Sequence, residues 1–244
     1  MTTAIAAALA LAGLVAGWGL RAVIARFAVP AGQPPARSCP ACGHPPQAGR
    51  RHWFLPRPSG RCPACGQRTG PPPFAVEAAT ALTLAALALR VHPGLVLAAA
   101  CWLAVCAVPL AFIDAAVRRL PDLLTAPAYA GTALLLVAAA ADGGHWPELL
   151  RAGLGGLALA GFCLALAVVS RGGMGLGDVK AAASLGTLLA WRGWSTLLAG
   201  TFAGFLLAAA YGIVLLMAGR ATRKQHISFG PFLIIGAFAA IIAW

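Results

Sequence analysis

Acidic residues are nearly missing from this 244-residue sequence. Six occur, Glu77, Asp114, Asp122, Asp142, Glu148 and Asp178, against 18 lysines and arginines. Charged residues of all kinds make up 10% of the chain, 60% of it is hydrophobic, and the mean hydropathy is +0.83. That composition excludes an ordinary soluble domain and describes a polytopic membrane protein. A net charge of +12 can signal nucleic acid. In a membrane chain it is better read as basic loops facing the cytoplasm and anionic lipid, so the expected partner is the bilayer and no nucleic acid. The first 20 residues lack a basic n-region. A cleaved signal peptide is therefore not expected, and Thr2 to Leu20 reads as a first spanning helix. No internal repeat is evident.

What is abundant is apolar sequence in runs. Eight segments can be drawn, near 4–26, 74–91, 94–113, 123–141, 149–170, 179–191, 195–218 and 228–244. The expected fold is an all-α polytopic membrane protein of about eight transmembrane helices with a zinc-ribbon-like loop. The sixth segment is short for a span of about 20 residues. It needs the glycines before it to continue the helix or to line a wet recess. Lysines and arginines alternate in density between loops. Fourteen fall in loops 26–68, 114–122, 171–180 and 219–227, whereas the opposite side has Arg90, Arg151 and Arg192. The positive-inside rule then predicts those four loops in the cytoplasm and both termini outside. Asp114, Asp122 and Asp178 all fall on the cytoplasmic side. The domains expected are a first helix at 1–29, a cytoplasmic loop at 30–73 and a membrane domain at 74–244.

The loop at 30–73 is rich in Pro, Gly and Arg and has little from which to build a core, so it needs a staple. Cys39-Pro40-Ala41-Cys42-Gly43 and Cys62-Pro63-Ala64-Cys65-Gly66 supply one. Two C-x2-C pairs separated by 19 residues match a tetrathiolate zinc site. Two disulfides are the alternative, which a reducing cytoplasm disfavours, and a redox dithiol is a third. Zinc suits two paired copies best. Its role would be structural, since four thiolates leave no position for water. Cys101, Cys106 and Cys163 lie in apolar spans and read as small buried hydrophobes.

Two aspartates stand out. Asp178 lies in Gly172-Gly173-Met174-Gly175-Leu176-Gly177-Asp178-Val179-Lys180, between two apolar runs. A carboxylate there is costly unless it meets a partner or a wet cavity. Asp114 closes the third span, where the helix macrodipole disfavours negative charge. Asp122 follows Pro121 and reads as a cap or turn residue. Glu77 opens the second span, as an interfacial charge or as a partner for the basic loop. If Asp114 and Asp178 meet in a partly desolvated cleft, they share one proton. The ionised member can then activate water while the protonated one polarises a peptide carbonyl. The bland alternative is two separate interfacial charges balanced by Arg118, Arg119 and Lys180.

Three stretches carry a resemblance: Asp114 through Leu120-Pro121-Asp122, then Gly175-Leu176-Gly177-Asp178-Val179-Lys180, then Phe229-Gly230-Pro231-Phe232. In this order they resemble bacterial type IV prepilin peptidases, whose larger members also carry a four-cysteine loop after the first span. The resemblance implies a membrane aspartic endopeptidase that cleaves the basic leader from prepilins or pseudopilins at the cytoplasmic face of the inner membrane. Asp114 and Asp178 would be its catalytic pair, and Cys39, Cys42, Cys62 and Cys65 its zinc ligands. Many relatives also methylate the new N-terminus with S-adenosylmethionine. This chain departs from the family where Gly-Ser-Phe-Leu-Asn is usual in the first span. It has Gly17-Trp18-Gly19-Leu20-Arg21, and between the cysteine pairs it has Arg50-Arg51-His52-Trp53-Phe54-Leu55-Pro56. In the last motif Ser228 stands where a proline is frequent. The competing readings are a zinc-stapled membrane scaffold or transporter, and a methyltransferase that has lost its peptidase. A transporter expects polar residues near mid-membrane, and a bare methyltransferase expects a lost aspartate.

Overall fold

The structure, a computed structural model, describes residues 2–30, 32–39, 41–44, 60–170, 175–219 and 228–243. Gly172, Gly173, Met174, the segment from Arg50 to Pro56, and Arg220, Arg223 and Lys224 lie outside the described residues. Among the described residues the fold has eight α-helices: α1 (Thr2–Phe27), α2 (Ala75–Arg90), α3 (Leu95–Val117), α4 (Asp122–Gly143), α5 (Trp146–Val169), α6 (Leu176–Arg192), α7 (Trp194–Met217) and α8 (Gly230–Ala243). No strand is found among the described residues. α1, α3, α4, α5 and α7 are long and apolar enough to cross a membrane. α2, α6 and α8 are shorter, and the last two begin at the site described below.

The helices pack as consecutive pairs, α1 on α2, α3 on α4, α5 on α6 and α7 on α8. Small residues set two of these contacts, as expected where helix association depends on close backbone approach. A Cβ at Gly13 would come within 2.6 Å of Ala81 Cα, and one at Gly17 within 2.5 Å of Glu77 Cα. A Cβ at Gly186 would stand 2.8 Å from the Gly155 carbonyl oxygen. The core runs through α3, α6 and α8. From Leu185 to Trp191 every residue of α6 is buried, which makes it the central helix. By contrast α7 turns Leu198, Phe202 and Met217 outward, and α5 turns out Leu157 and Val168. Apolar faces of this extent fit a lipid surround.

Two of the helix boundaries that differ from those expected bear on the site. α3 continues past the predicted end at 113, so Asp114 lies inside its last turn. Arg118, in the left-handed conformation (φ 52°), closes the helix by donating its N–H to the Asp114 carbonyl at 2.8 Å. α6 begins at Leu176 rather than 179. Asp178 is its third residue, and Asp178 Oδ2 accepts the Gly175 N–H at 3.3 Å. A carboxylate in a first turn offsets the unpaired N–H groups and dipole there. At the opposite end of α6, Arg151 of α5 donates from Nε to the Ala190 carbonyl (2.7 Å) and from Nη2 to the Trp191 carbonyl (2.5 Å). Both ends of the central helix are thus tied.

Glu77 is buried, and its partner is in α1 rather than the basic loop. Arg21 Nη1 lies 3.1 Å from Glu77 Oε1, with side chains 3% and 8% exposed. The two residues face each other beside Gly17, where α1 and α2 touch. The arginine at this unusual position of the first span therefore has a buried counter-charge. Gly60 of the loop packs over the same guanidinium, since a Cβ there would stand 2.7 Å from Arg21 Nη2.

Candidate active site

Three helix ends converge at one end of the bundle: the C-terminal turn of α3 and the N-termini of α6 and α8. Asp114 and Asp178 arrive on the first two and are buried, 4% and 7% exposed. Gly230, the first residue of α8, lies between them. A methyl there would stand 2.6 Å from Asp114 Oδ2 and 3.2 Å from Asp178 Oδ1. Both carboxylates therefore close on the same point in space, and only glycine leaves that point open. Gly177 is equally constrained, because a Cβ on it would come 2.7 Å from Leu120 Cβ in the α3–α4 turn.

The surroundings of the two carboxylates are unequal. Asp114 Oδ2 accepts the Gly230 N–H at 3.1 Å and also a short hydrogen bond from the Ser228 hydroxyl. Asp178 Oδ1 is buried with no hydrogen-bond partner among the described residues. Hydrogen bonds donated to a carboxylate favour its charged form. Asp114 is thus the member equipped to carry the charge, and Asp178 the one that can keep a proton on its unpartnered oxygen. The sequence marked Ser228 only as a departure from the family's last motif and gave no sign of its bond to Asp114.

Two of the charges named as balancing groups, Lys180 and Arg119, go elsewhere. Lys180 pairs with Asp122 at 2.6 Å, a contact between α6 and α4 with both side chains largely exposed. Asp122 forms no side-chain cap on α4. Arg119 Nη1 donates to the carbonyls of Pro30 (3.2 Å) and Gln33 (3.4 Å), tying the chain after α1 to the α3–α4 turn.

The four loop cysteines form a second cluster. Cys39 Sγ lies 3.8 Å from Cys65 Sγ, Cys42 Sγ lies 3.7 Å from Cys62 Sγ, and all four sulfurs fall within 4.8 Å of one another. A tetrahedron with metal–sulfur bonds of about 2.3 Å has edges of about 3.8 Å, so the donor set fits zinc. The two halves have the same turn. Cys39 N–H bonds the His44 carbonyl and Gly43 N–H the Cys39 carbonyl. Cys62 N–H bonds the Gln67 carbonyl and Gly66 N–H the Cys62 carbonyl. Gly43 and Gly66 both have positive φ, 68° and 71°, which the turn needs and a side chain disfavours. N–H groups of Cys65 and Ala64 hold the Cys62 thiol down to about 6. Cys42 is pushed up to about 12: the His44 N–H favours its thiolate, but desolvation and the neighbouring sulfurs outweigh it. Four sulfurs so close need a cation before all can ionise.

Comparison with known proteins is consistent over most of the chain. Residues 97–217 match the model of the type IV leader peptidase family, and both aspartates fall inside that stretch. A prepilin leader peptidase/N-methyltransferase of Aeromonas salmonicida (strain A449) is 32% identical over 216 residues, covering 85% of this chain and 71% of that protein. A protein of the same description from Burkholderia pseudomallei (strain 1026b) is 35% identical over 220 residues, covering 85% and 67%. One from Pseudomonas aeruginosa is 32% identical over 224 residues, covering 85% and 71%. No solved structure matches.

Proposed function

Since the chain belongs to the type IV leader peptidase family and is therefore a membrane protease, we propose that it cleaves the basic leader from a type IV prepilin or pseudopilin, with Asp114 and Asp178 as the catalytic pair. The observation that carries this reading is the meeting of both carboxylates over Gly230. The scissile carbonyl binds at that open point, beside Asp178. Asp114, held by Ser228 and the Gly230 N–H, takes a proton from a water placed between the carboxylates. Asp178 gives its proton to the carbonyl oxygen as the water adds. The resulting diol collapses as the leaving amine is protonated, and no covalent bond to the enzyme is formed.

The charge bias of the loops supports a site at the cytoplasmic face of the inner membrane, with both termini outside. A prepilin joins a basic leader to an apolar helix, so its scissile bond lies at the depth of these helix ends. The segment 30–73 forms a unit of its own, in which Cys39, Cys42, Cys62 and Cys65 hold one structural zinc. Zinc closed by four thiolates contributes folding energy to a loop that lacks a core. The relatives' names also include N-methyl transfer, which requires S-adenosylmethionine. One cavity among the described residues, between the chain leaving α1 and the α3–α4 turn, holds about 250 Å³; it is smaller than the roughly 300–1,000 Å³ usual for such ligands and too small to enclose that cofactor.

The test is leader cleavage in membranes by wild type and Asp178→Asn, with S-adenosylmethionine present and the product N-terminus weighed by mass spectrometry. Cleavage by wild type and none by the folded variant is the expected result. A fully active Asp178→Asn enzyme would overturn the mechanism, and the product mass reads methylation in the same experiment.

A further inference from the structure

A cavity beside the aspartates has no role in the chemistry above. It lies between the chain leaving α1 and the turn from α3 to α4, and holds about 250 Å³. Phe27, Val29, Pro35, Leu120 and Leu123 give it apolar walls, and Asp122 gives it a carboxylate. Leu120 is also the residue packed on Gly177, one position before Asp178. Leu120 therefore joins the cavity wall to the first turn of α6, which carries Asp178. A peptide held at Asp178 reaches the cavity within a few residues, since an extended chain advances about 3.3 Å per residue.

The charge census at this end of the bundle points to the occupant. Of the six acidic residues, Glu77 is buried against Arg21, and Asp114 and Asp178 form the pair. Asp142 and Glu148 lie at the α4–α5 end, away from the site. Asp122, with a side chain 72% exposed, is the one exposed carboxylate at the catalytic end. Arg119, in the same wall, is engaged with the carbonyls of Pro30 and Gln33. Asp122 itself holds Lys180, whose side chain is 53% exposed. An exposed pair of this kind is weakly held and can be exchanged.

We infer that this cavity is the subsite for a basic side chain of the leader, on the amino-terminal side of the scissile bond. The inference rests on the function proposed above. The apolar walls take the methylene stem of a lysine or arginine, which packs well on such surface. Asp122 takes the cation, and Lys180 occupies that position in the free enzyme. The cavity's volume suits one long side chain. This also answers how a strongly basic enzyme receives a basic peptide: the cation is brought to the one exposed carboxylate at the catalytic end.

The experiment uses the full chain in proteoliposomes and two prepilins, one natural and one with the leader's basic residue nearest the cut changed to Gln. On the natural leader, Asp122→Asn should raise KM roughly tenfold with kcat little changed, the loss expected for one charged hydrogen bond. On the Gln leader the same variant should match wild type. Wild type alone should show the same tenfold preference between the two leaders, which keeps the test valid if Asp122→Asn fails to fold. Lys180→Ala should lower KM for the natural leader, because it removes the competing cation. A merely structural ion pair predicts the opposite pattern: both variants would impair both leaders alike, and that result overturns the inference. Absence of cleavage by wild type on either leader would instead remove the proposed peptidase function, and this subsite with it.

Discussion

Among the described residues Asp114 Oδ2 accepts two hydrogen bonds and Asp178 Oδ1 accepts none, and this asymmetry makes Ser228 a positioning residue for Asp114. Ser228→Ala should lower kcat by roughly tenfold, as for one lost hydrogen bond to a charged group, and leave KM unchanged in steady-state cleavage assays. Ser228→Thr keeps the hydroxyl and should restore most of the rate. Full activity in Ser228→Ala would separate Ser228 from the chemistry. A second residue-scale prediction concerns Arg21. Removing it leaves Glu77 as an unpaired charge in a buried contact, which costs about 3–5 kcal/mol. Arg21→Ala should therefore melt well below wild type in detergent, and replacing both partners by leucine should recover most of the loss. At this scale the aspartates were legible because a carboxylate beside apolar sequence is rare and costly. Ser228 and the Arg21–Glu77 pair were not, because each partner is 56 or more positions away and a single serine or arginine carries no periodic signal.

At the scale of elements, the apolar runs announced all eight helices, but their ends depended on backbone details that hydropathy does not register. α3 gained the turn that holds Asp114 through a left-handed Arg118, and α6 gained the turn that holds Asp178 through a carboxylate that caps its own helix. The loop's two knuckles were legible as a repeated Cys-Pro-Ala-Cys-Gly, since thiolate spacing and a turn glycine are local requirements. Wild-type protein should contain one zinc per chain by elemental analysis, and Cys62→Ser should lose it. Chelation should open the loop to added protease while the helical signal of the bundle stays unchanged. Retained metal in Cys62→Ser would remove the four-thiolate reading.

For the whole molecule, sequence supplies an orientation but not a packing arrangement. Charge bias between loops is a sum over many residues and survives ignorance of contacts. Which helices touch depends on glycines meeting backbones from other segments, such as Gly17 on Glu77 and Gly186 on Gly155. The orientation predicts that a single cysteine placed in loop 144–145 is labelled by a membrane-impermeant thiol reagent added outside intact cells. One placed at Arg119 should be labelled only after permeabilisation. The reverse pattern would move the site to the outer face.

The clamp of Arg151 on the last carbonyls of α6 has a consequence at the other end of that helix. Ala190 and Asp178 are twelve positions apart, about 18 Å along a helix axis. With its far end pinned, α6 is a lever: each degree of tilt moves Asp178 by about 0.3 Å relative to Asp114. The clamp sits on α5, a helix long and apolar enough to cross a membrane, so the spacing of the two carboxylates depends on how α5 holds the far end of α6.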